Sequence, residues 1–187
     1  MLVVQALFFA DGDAPVQAPI EETLEALHDA VKAGKVLYLG GSSMFAWQFA
    51  EYLHLSDKHG WAKFVSMQNH YNLVYREEER EMIPLCLDQG VGLIPWSPIA
   101  RGRLARPAGA ETDRTGKDAY GKFLFGTTAA ADAAVIAAVQ ALAGELGRPM
   151  AQVAMAWTRQ KPGVTAPIVG VTKASQLQDA VDGLTLT

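Results

Sequence analysis

Apolar positions along the chain recur at two spacings, and the two alternate. Ile20, Leu24, Leu27 and Val31 fall on one helical face, and Gly34 follows as a stop. "KVLYLG" is short and continuously apolar, as a strand buried on both faces would be. "MFAWQFAEYLHLSDKHG" returns to helical spacing, with Phe45, Phe49 and Leu53 in register, and "FVSMQ" predicts the next strand. "REEEREMIPLCLDQG" reads as one helix whose acidic first turn suits the positive end of the helix dipole. Pro84 lies inside it, where it could kink the chain. "VGLIPW" predicts a third strand. Residues 105–128 are polar, contain glycine and lack periodicity, so they read as a long irregular loop. "AADAAVIAAVQALAGELG" and "MAQVAMAWTRQK" then predict two Ala-rich helices, "APIVG" a fourth strand and "ASQLQDAVDGL" a closing helix. The start, "MLVVQALFFADGD", reads as a short buried strand or a disturbed N-terminus.

Strands that alternate with helices predict stacked βα units and a parallel sheet. In such folds, binding and catalysis sit at the C-terminal edge of the sheet. The four strand ends here read "LGGSSM", "SMQNHYN", "IPWSPIARGRL" and "IVGVTKASQ". All four are polar and suited to hydrogen bonding, and four in sequence order are hard to obtain by chance.

Composition narrows the choice. The 187 residues suffice for one domain with a sizeable core. A formal net charge of −4 gives no long-range attraction to nucleic acid or anionic membranes, with Arg101, Arg103 and Arg106 a local exception. Cys86 is the only cysteine, so no intrachain disulfide can form and a reducing, cytoplasmic setting is expected. No uninterrupted apolar run has the roughly 18 residues of a membrane span, and no basic residue opens the N-terminal stretch as a secretory signal would require. No His/Cys/Asp cluster has metal-ligand spacing.

At the strand ends the chain resembles the second half of the aldo-keto reductases. The segments that carry the resemblance are "EETLEALHDAVKAGKVLYLGGSSM", "FVSMQNHYNLVYREEEREMIPLC", "GVGLIPWSPIARGRL" and "PIVGVTKASQLQDAV". They occur in the family's order over about Ile20 to Leu186, and they are most similar to the branch of aryl-alcohol-dehydrogenase-like enzymes and potassium-channel β subunits. The resemblance implies an α/β fold of TIM-barrel type, a single partial domain over 1–187 with barrel strands 5–8 plus the N-terminal strand. It also implies an NADPH-dependent reduction of aldehydes and ketones.

By the same resemblance, Ser42, Ser43 and Gln68 bind the nicotinamide carboxamide. Ser43 stands where the family often has Asn, which shortens one contact. Trp96 resembles the aromatic under the nicotinamide ring. Ser97, Ile99, Gly102 and Leu104 resemble the loop along the pyrophosphate, with Arg101 or Arg103 to pair with phosphate. Thr172, Lys173 and Gln176 match the surroundings of the adenosine 2′-phosphate. Asp179 stands in for a Glu beside the adenine, and Ala180 replaces the Asn that follows it. Phosphate binding after the last two strands is also what such barrels favour physically.

The family's catalytic Asp, Tyr and Lys come from the first half of the barrel, which this sequence does not contain. Leu7 falls where the catalytic His is expected. A relocated acid at His70-Tyr71 is the weaker reading, since Tyr71 and Asn72 suit loop ordering better. Little or no catalysis by this chain alone is therefore expected. The alternative is a non-catalytic NADP(H)-binding or oligomerising protein, partnered by itself or by a separate first-half chain.

Overall fold

The computed structural model describes residues 2–5, 18–110 and 118–187. They divide into two units, Met1–His70 with Glu77–Pro95 and Tyr71–Arg76 with Trp96–Thr187. Leu7, the position expected for the catalytic His, lies outside the described residues, as does the link that follows it.

The first unit is built on a four-stranded parallel sheet in the order β1 (Leu2–Gln5), β2 (Leu39–Ser42), β3 (Phe64–Gln68) and β4 (Gly92–Leu93). Helices α1 (Ile20–Lys32), α2 (Ala46–His59) and α3 (Met82–Asp88) alternate with the strands, as parallel neighbours require. The core gathers Leu24, Leu39, Phe49, Leu53, Phe64, Met67, Cys86, Val91 and Leu93. Burying Phe49 and Phe64 contributes roughly 1.5–3 kcal/mol each, and their rings meet edge to face at 5.8 Å. Gly41 makes this approach possible, because a Cβ there would lie 2.8 Å from Met67 Cε and 2.9 Å from Phe49 Cε2.

Several expectations are corrected here. The strand expected over "KVLYLG" begins only at Leu39, since Leu39 is the first residue paired on both sides, to Leu2 and to Phe64. Leu37 and Tyr38 precede the paired stretch and are exposed. "REEEREMIPLCLDQG" is not one helix but a 3₁₀ turn at Glu77–Glu79 followed by α3. The Pro84 ring would clash with the carbonyl of Arg80 in a continuous α-helix. A helix restarted at Met82 puts Pro84 in the first turn, where no N–H is needed. Phe45 is the N-cap of α2 and is exposed, so the apolar face of that helix starts at Phe49. Trp47 is 65% exposed. His28 is half-buried and accepts the Ala62 N–H at Nδ1 (3.1 Å).

The second unit is helical: α4 (Ala119–Phe125), α5 (Ala129–Leu146), α6 (Met150–Arg159) and α7 (Ala174–Asp182), with 3₁₀ turns at Ala100–Ala105 and Gly183–Thr185. Its core joins Ala100, Leu104, Phe125, Ile136, Val139, Ala143, Met150, Val153 and Ala154. α4 forms inside the stretch read as irregular; Phe125, too short a signal for periodicity, anchors it in the core. α5 is long and apolar enough by composition to cross a membrane, although Asp132 and Glu145 interrupt its apolar run. Its Asp132, though, is buried and paired with Arg103, and Ile136, Val139 and Ala143 lie in the unit's core. "APIVG" forms no regular strand and contributes one parallel bridge, Ile168 to Trp96. Ile168, Val169 and Val171 stay exposed, so the apolar run lacks the burial that a strand covered on both faces would have.

Candidate functional site

In the first unit, β2 and β3 run in register so that Ser42 lies opposite Gln68. The Ser42 hydroxyl donates to the Gln68 main-chain carbonyl at 2.9 Å, and the Ser43 N–H reaches the same carbonyl at 3.1 Å. That leaves the half-buried Gln68 side-chain amide without a hydrogen bond among the described residues. Ser43 itself has φ 31°, left of the range ordinary residues prefer. The three residues expected at the carboxamide are therefore brought together, on one strand edge.

Just beyond β3 the backbone dips into the core. Asn69 and His70 are buried, and the Asn69 amide donates to Glu78 at 3.2 Å. Burial lifts the Glu78 carboxyl above the ordinary carboxylate range; the Asn69 bond opposes this and the charge of Glu77 adds to it. Burial also pushes His70 down to about 4. An imidazole that is neutral at pH 7 keeps one N–H but lacks the acidic proton of an imidazolium, which makes it a poor relocated general acid.

In the second unit the chain from Trp96 to Leu104 turns sharply. Ser97 has φ 54°, and Ala100, Arg101 and Gly102 follow in succession at 48°, 55° and 95°. Consecutive left-handed residues make a tight turn that its own N–H groups close: the Ala100 N–H donates to the Ser97 carbonyl at 2.9 Å, and the Gly102 and Leu104 N–H groups donate to the Ile99 carbonyl at 2.9 and 3.2 Å. Asn72, fully buried, pins the turn: its amide donates to the Ser97 carbonyl at 3.0 Å, while its side-chain oxygen accepts the Val74 and Tyr75 N–H groups. Ordering this loop is the role expected for Asn72. Ile99 is half-buried against the core of the unit, and Leu104 and Ala100 are part of that core. Gly102 suits its φ of 95°, where a side chain would be strained; the Arg106 guanidinium, 2.8 Å from where a Cβ would lie, is a flexible end that could move aside. Trp96 is half-exposed and carries the bridge to Ile168.

The arginines of this turn have carboxylate partners. Arg101 pairs through Nε and Nη2 with both oxygens of Asp118, at 2.6 and 2.7 Å, and its guanidinium lies over the Tyr120 ring at 5.5 Å. Arg103 reaches Asp132 at 3.4 Å and lies over Phe125. Asp118 lies in a segment with no periodicity to single it out. The only signal for it was an Asp two residues before an aromatic, in "KDAYG".

At the start of α7 three donors converge on one oxygen. The N–H groups of Thr172 and Lys173 and the Thr172 hydroxyl meet Gln176 Oε1 at 2.8, 3.2 and 3.3 Å. Asp179, one turn further, accepts from Gln152 Nε2 at 3.1 Å. Ser42, Ser43 and Gln68 thus belong to the first unit, and the other expected residues to the second. Among the described residues, no group of three His, Cys, Asp or Glu side chains could hold a metal ion.

The sequence profile of the Aldo/keto reductase family matches residues 4–187. The chain belongs to the aldo/keto reductase family. The α/β structure, with its small parallel sheet and many helices, fits a portion of that family's barrel. Members of this family generally use NADP(H). Versiconal hemiacetal acetate reductase of Aspergillus parasiticus is 48% identical over 167 residues, which is 88% of this chain and 48% of that protein. An aldo-keto reductase of Fusarium vanettenii is 46% identical over 164 residues, 87% of this chain and 44% of its own length. A Schizosaccharomyces pombe protein carrying an aryl-alcohol dehydrogenase name is 50% identical over 169 residues, 89% and 50%. This aldo-keto reductase chain spans about half the length of the curated relatives it matches.

Proposed function

We propose that this chain is the NADP(H)-holding part of an oxidoreductase that acts on aldehydes and ketones. One observation carries the reading. The non-glycine residues with positive φ among the described residues are Ser43, Ser97, Ala100 and Arg101. Three of them were expected at the cofactor from sequence, and Ala100 lies between the other two. Strain of about 1–3 kcal/mol per residue persists only where the surroundings enforce it, and it clusters at ligand clamps.

The residues fit the group. The left-handed turn with Arg101, Gly102, Arg103 and Leu104 is suited to the pyrophosphate, with Ser97 and Ile99 at its entry. The convergent donors of Thr172 and Lys173 already hold one oxygen, that of Gln176, and suit those of a 2′-phosphate. Asp179 offers an acceptor for an adenine amino group. The Gln68 amide and the Ser42-Ser43 edge have the donors and acceptors of a carboxamide's complement, and Trp96 offers a ring face. NADPH, when bound, supplies the hydride; these side chains bind and orient.

A group that donates a proton to the substrate oxygen is the part not found in this sequence. Carbonyl reduction is therefore proposed to need first-half residues, from the same polypeptide or a second chain. The relatives named as a hemiacetal acetate reductase and an aryl-alcohol dehydrogenase support a carbonyl or alcohol substrate. A fluorescence titration of the folded protein with NADPH tests the binding. Saturation is expected, together with negligible NADPH oxidation over a panel of aldehydes. Turnover near that of the longer relatives would overturn the division of labour.

A second reading rests on exposed apolar residues of the second unit. Ile168, Val169, Val171, Leu177, Val181 and Leu184 are all exposed, and a strand edge left open invites pairing. Association with further βα units, in the same or another chain, would cover them. A monodisperse monomer in sedimentation that melts cooperatively would count against obligatory association.

A further inference from the structure

We propose that Asp118 is a positioning residue for the cofactor's pyrophosphate, acting through Arg101. This deepens the proposed function and rests on its reading of the Ser97–Leu104 turn.

The Arg101–Asp118 pair differs from the other arginine contacts of the turn. It is bidentate and short, at 2.6 and 2.7 Å, with side chains only 25% and 13% exposed. The Arg103–Asp132 contact is a single one at 3.4 Å, and Asp132 also takes the Thr128 hydroxyl. Asp118 is itself fixed, because its Oδ1 accepts the Gly121 N–H at 3.0 Å as the cap of α4. The Tyr120 ring closes on the guanidinium face. Carboxylate at one edge and ring on one face leave Arg101 a single orientation.

That orientation has something left to bind with. A guanidinium has five N–H donors, and the pair uses one on Nε and one on Nη2, so the Nη1 edge lies outside it. The backbone that carries this side chain is the middle residue of the left-handed run Ala100, Arg101, Gly102. A planar fork held in place beside the turn proposed for the pyrophosphate loses little rotamer freedom when a phosphate arrives. A surface arginine that serves only as a solvated charge needs neither the strained backbone nor the two-sided clamp.

The carboxylate could instead compete with phosphate for Arg101, and the two roles predict opposite signs. The test is a double-mutant cycle on the full polypeptide, read by fluorescence titration with NADPH. Asp118→Ala is expected to weaken binding about five- to tenfold. Asp118→Asn, whose one oxygen can stand at the Oδ1 place and keep the Nη2–H bond and the cap on α4 while losing the Nε–H acceptor, is expected to recover part of that. In an Arg101→Met background, Asp118→Ala should change affinity by less than about twofold, a loss of additivity that marks coupled residues. Unchanged or tighter binding in Asp118→Ala overturns the positioning role. An equal loss in the Arg101→Met background also overturns it, since Asp118 would then act only through the α4 cap. No saturation by the unsubstituted protein overturns the cofactor reading and Asp118's role with it.

Discussion

Ser42 and Gln68 are joined by side chain and by register: opposite each other on β2 and β3, they share a 2.9 Å bond from the Ser42 hydroxyl to the Gln68 carbonyl. The bond is part-buried and closes the strand edge from which the Gln68 amide projects. Ser42→Ala is expected to cost about 1 kcal/mol of stability, the usual net worth of such a bond. Urea denaturation reads it directly, and Ser42→Thr should recover most of the loss. An unchanged midpoint in Ser42→Ala would show that the Ser43 N–H holds the carbonyl alone.

Gly41 sets how closely α2 approaches the sheet. Gly41→Ala places a methyl 2.8 Å from Met67 Cε and 2.9 Å from the Phe49 ring. Met67 can bend away but a fully buried Phe49 cannot, so a loss of roughly 1–3 kcal/mol is expected from overpacking. Met67→Ala in the Gly41→Ala background should cost less than the sum of the two single changes, which chemical denaturation can resolve.

His70 makes stability depend on pH. Its folded value near 4 lies below the ordinary 6.5, so its contribution is complete above pH 6.5 and is lost as pH falls from there toward 4. The unfolded chain takes up the proton first. The loss amounts to at most about 3 kcal/mol across the window. Glu78, raised by burial, works in the other direction, so the informative quantity is a difference between proteins. His70→Asn should show a flatter urea midpoint between pH 7 and pH 5 than the unsubstituted protein; parallel slopes would mean that His70 is not the group responsible.

Cys86 is fully buried, and burial, with the charge of Glu78 adding, pushes its thiol up to about 12. A thiolate is the reactive form. The native protein should leave Ellman's reagent unreacted over minutes at pH 8, and one equivalent should appear on addition of denaturant. Rapid labelling of native protein would place Cys86 on an accessible surface.

Lys173 and Thr172 are proposed to read the 2′-phosphate. Lys173→Met should weaken NADPH about tenfold, as expected for a charge-assisted bond, and leave NADH nearly unchanged. Equal losses for both cofactors would assign Lys173 a structural part in the α7 cap instead.

Much of the fold was legible because it rests on local signals. "FVSMQ" became β3 at its predicted bounds, and the Ala-rich stretches became α5 and α6 within a residue or two of their limits. What failed did so where long-range pairing overrules local pattern. "KVLYLG" is apolar enough for a strand, but its first residues have no neighbour to pair with. "APIVG" has the composition of a buried strand and only one bridge. Pro84 looked like a kink in a helix, and the backbone resolved the conflict by starting a new one. In the candidate site, the glycine, serines and arginines could be named from sequence because the segments that carry them resemble those of the aldo-keto reductases. Asp118 could not, since an acidic residue in an aperiodic stretch gives no hint of which cation it will meet.

The sequence by itself determined the alternation of strands and helices and the polar character of the strand ends, because those follow from spacing and side-chain chemistry along a short stretch of chain; the family came from the resemblance of whole segments. Only the tertiary structure decided that Ser97, Ala100, Arg101 and Gly102 share a left-handed turn, that the Ser42 hydroxyl donates to the Gln68 carbonyl, and that Arg101 is clamped by a residue 17 positions away. Those depend on which distant segments pack together, and backbone strain and ion pairing are settled by that packing rather than by the local order of residues.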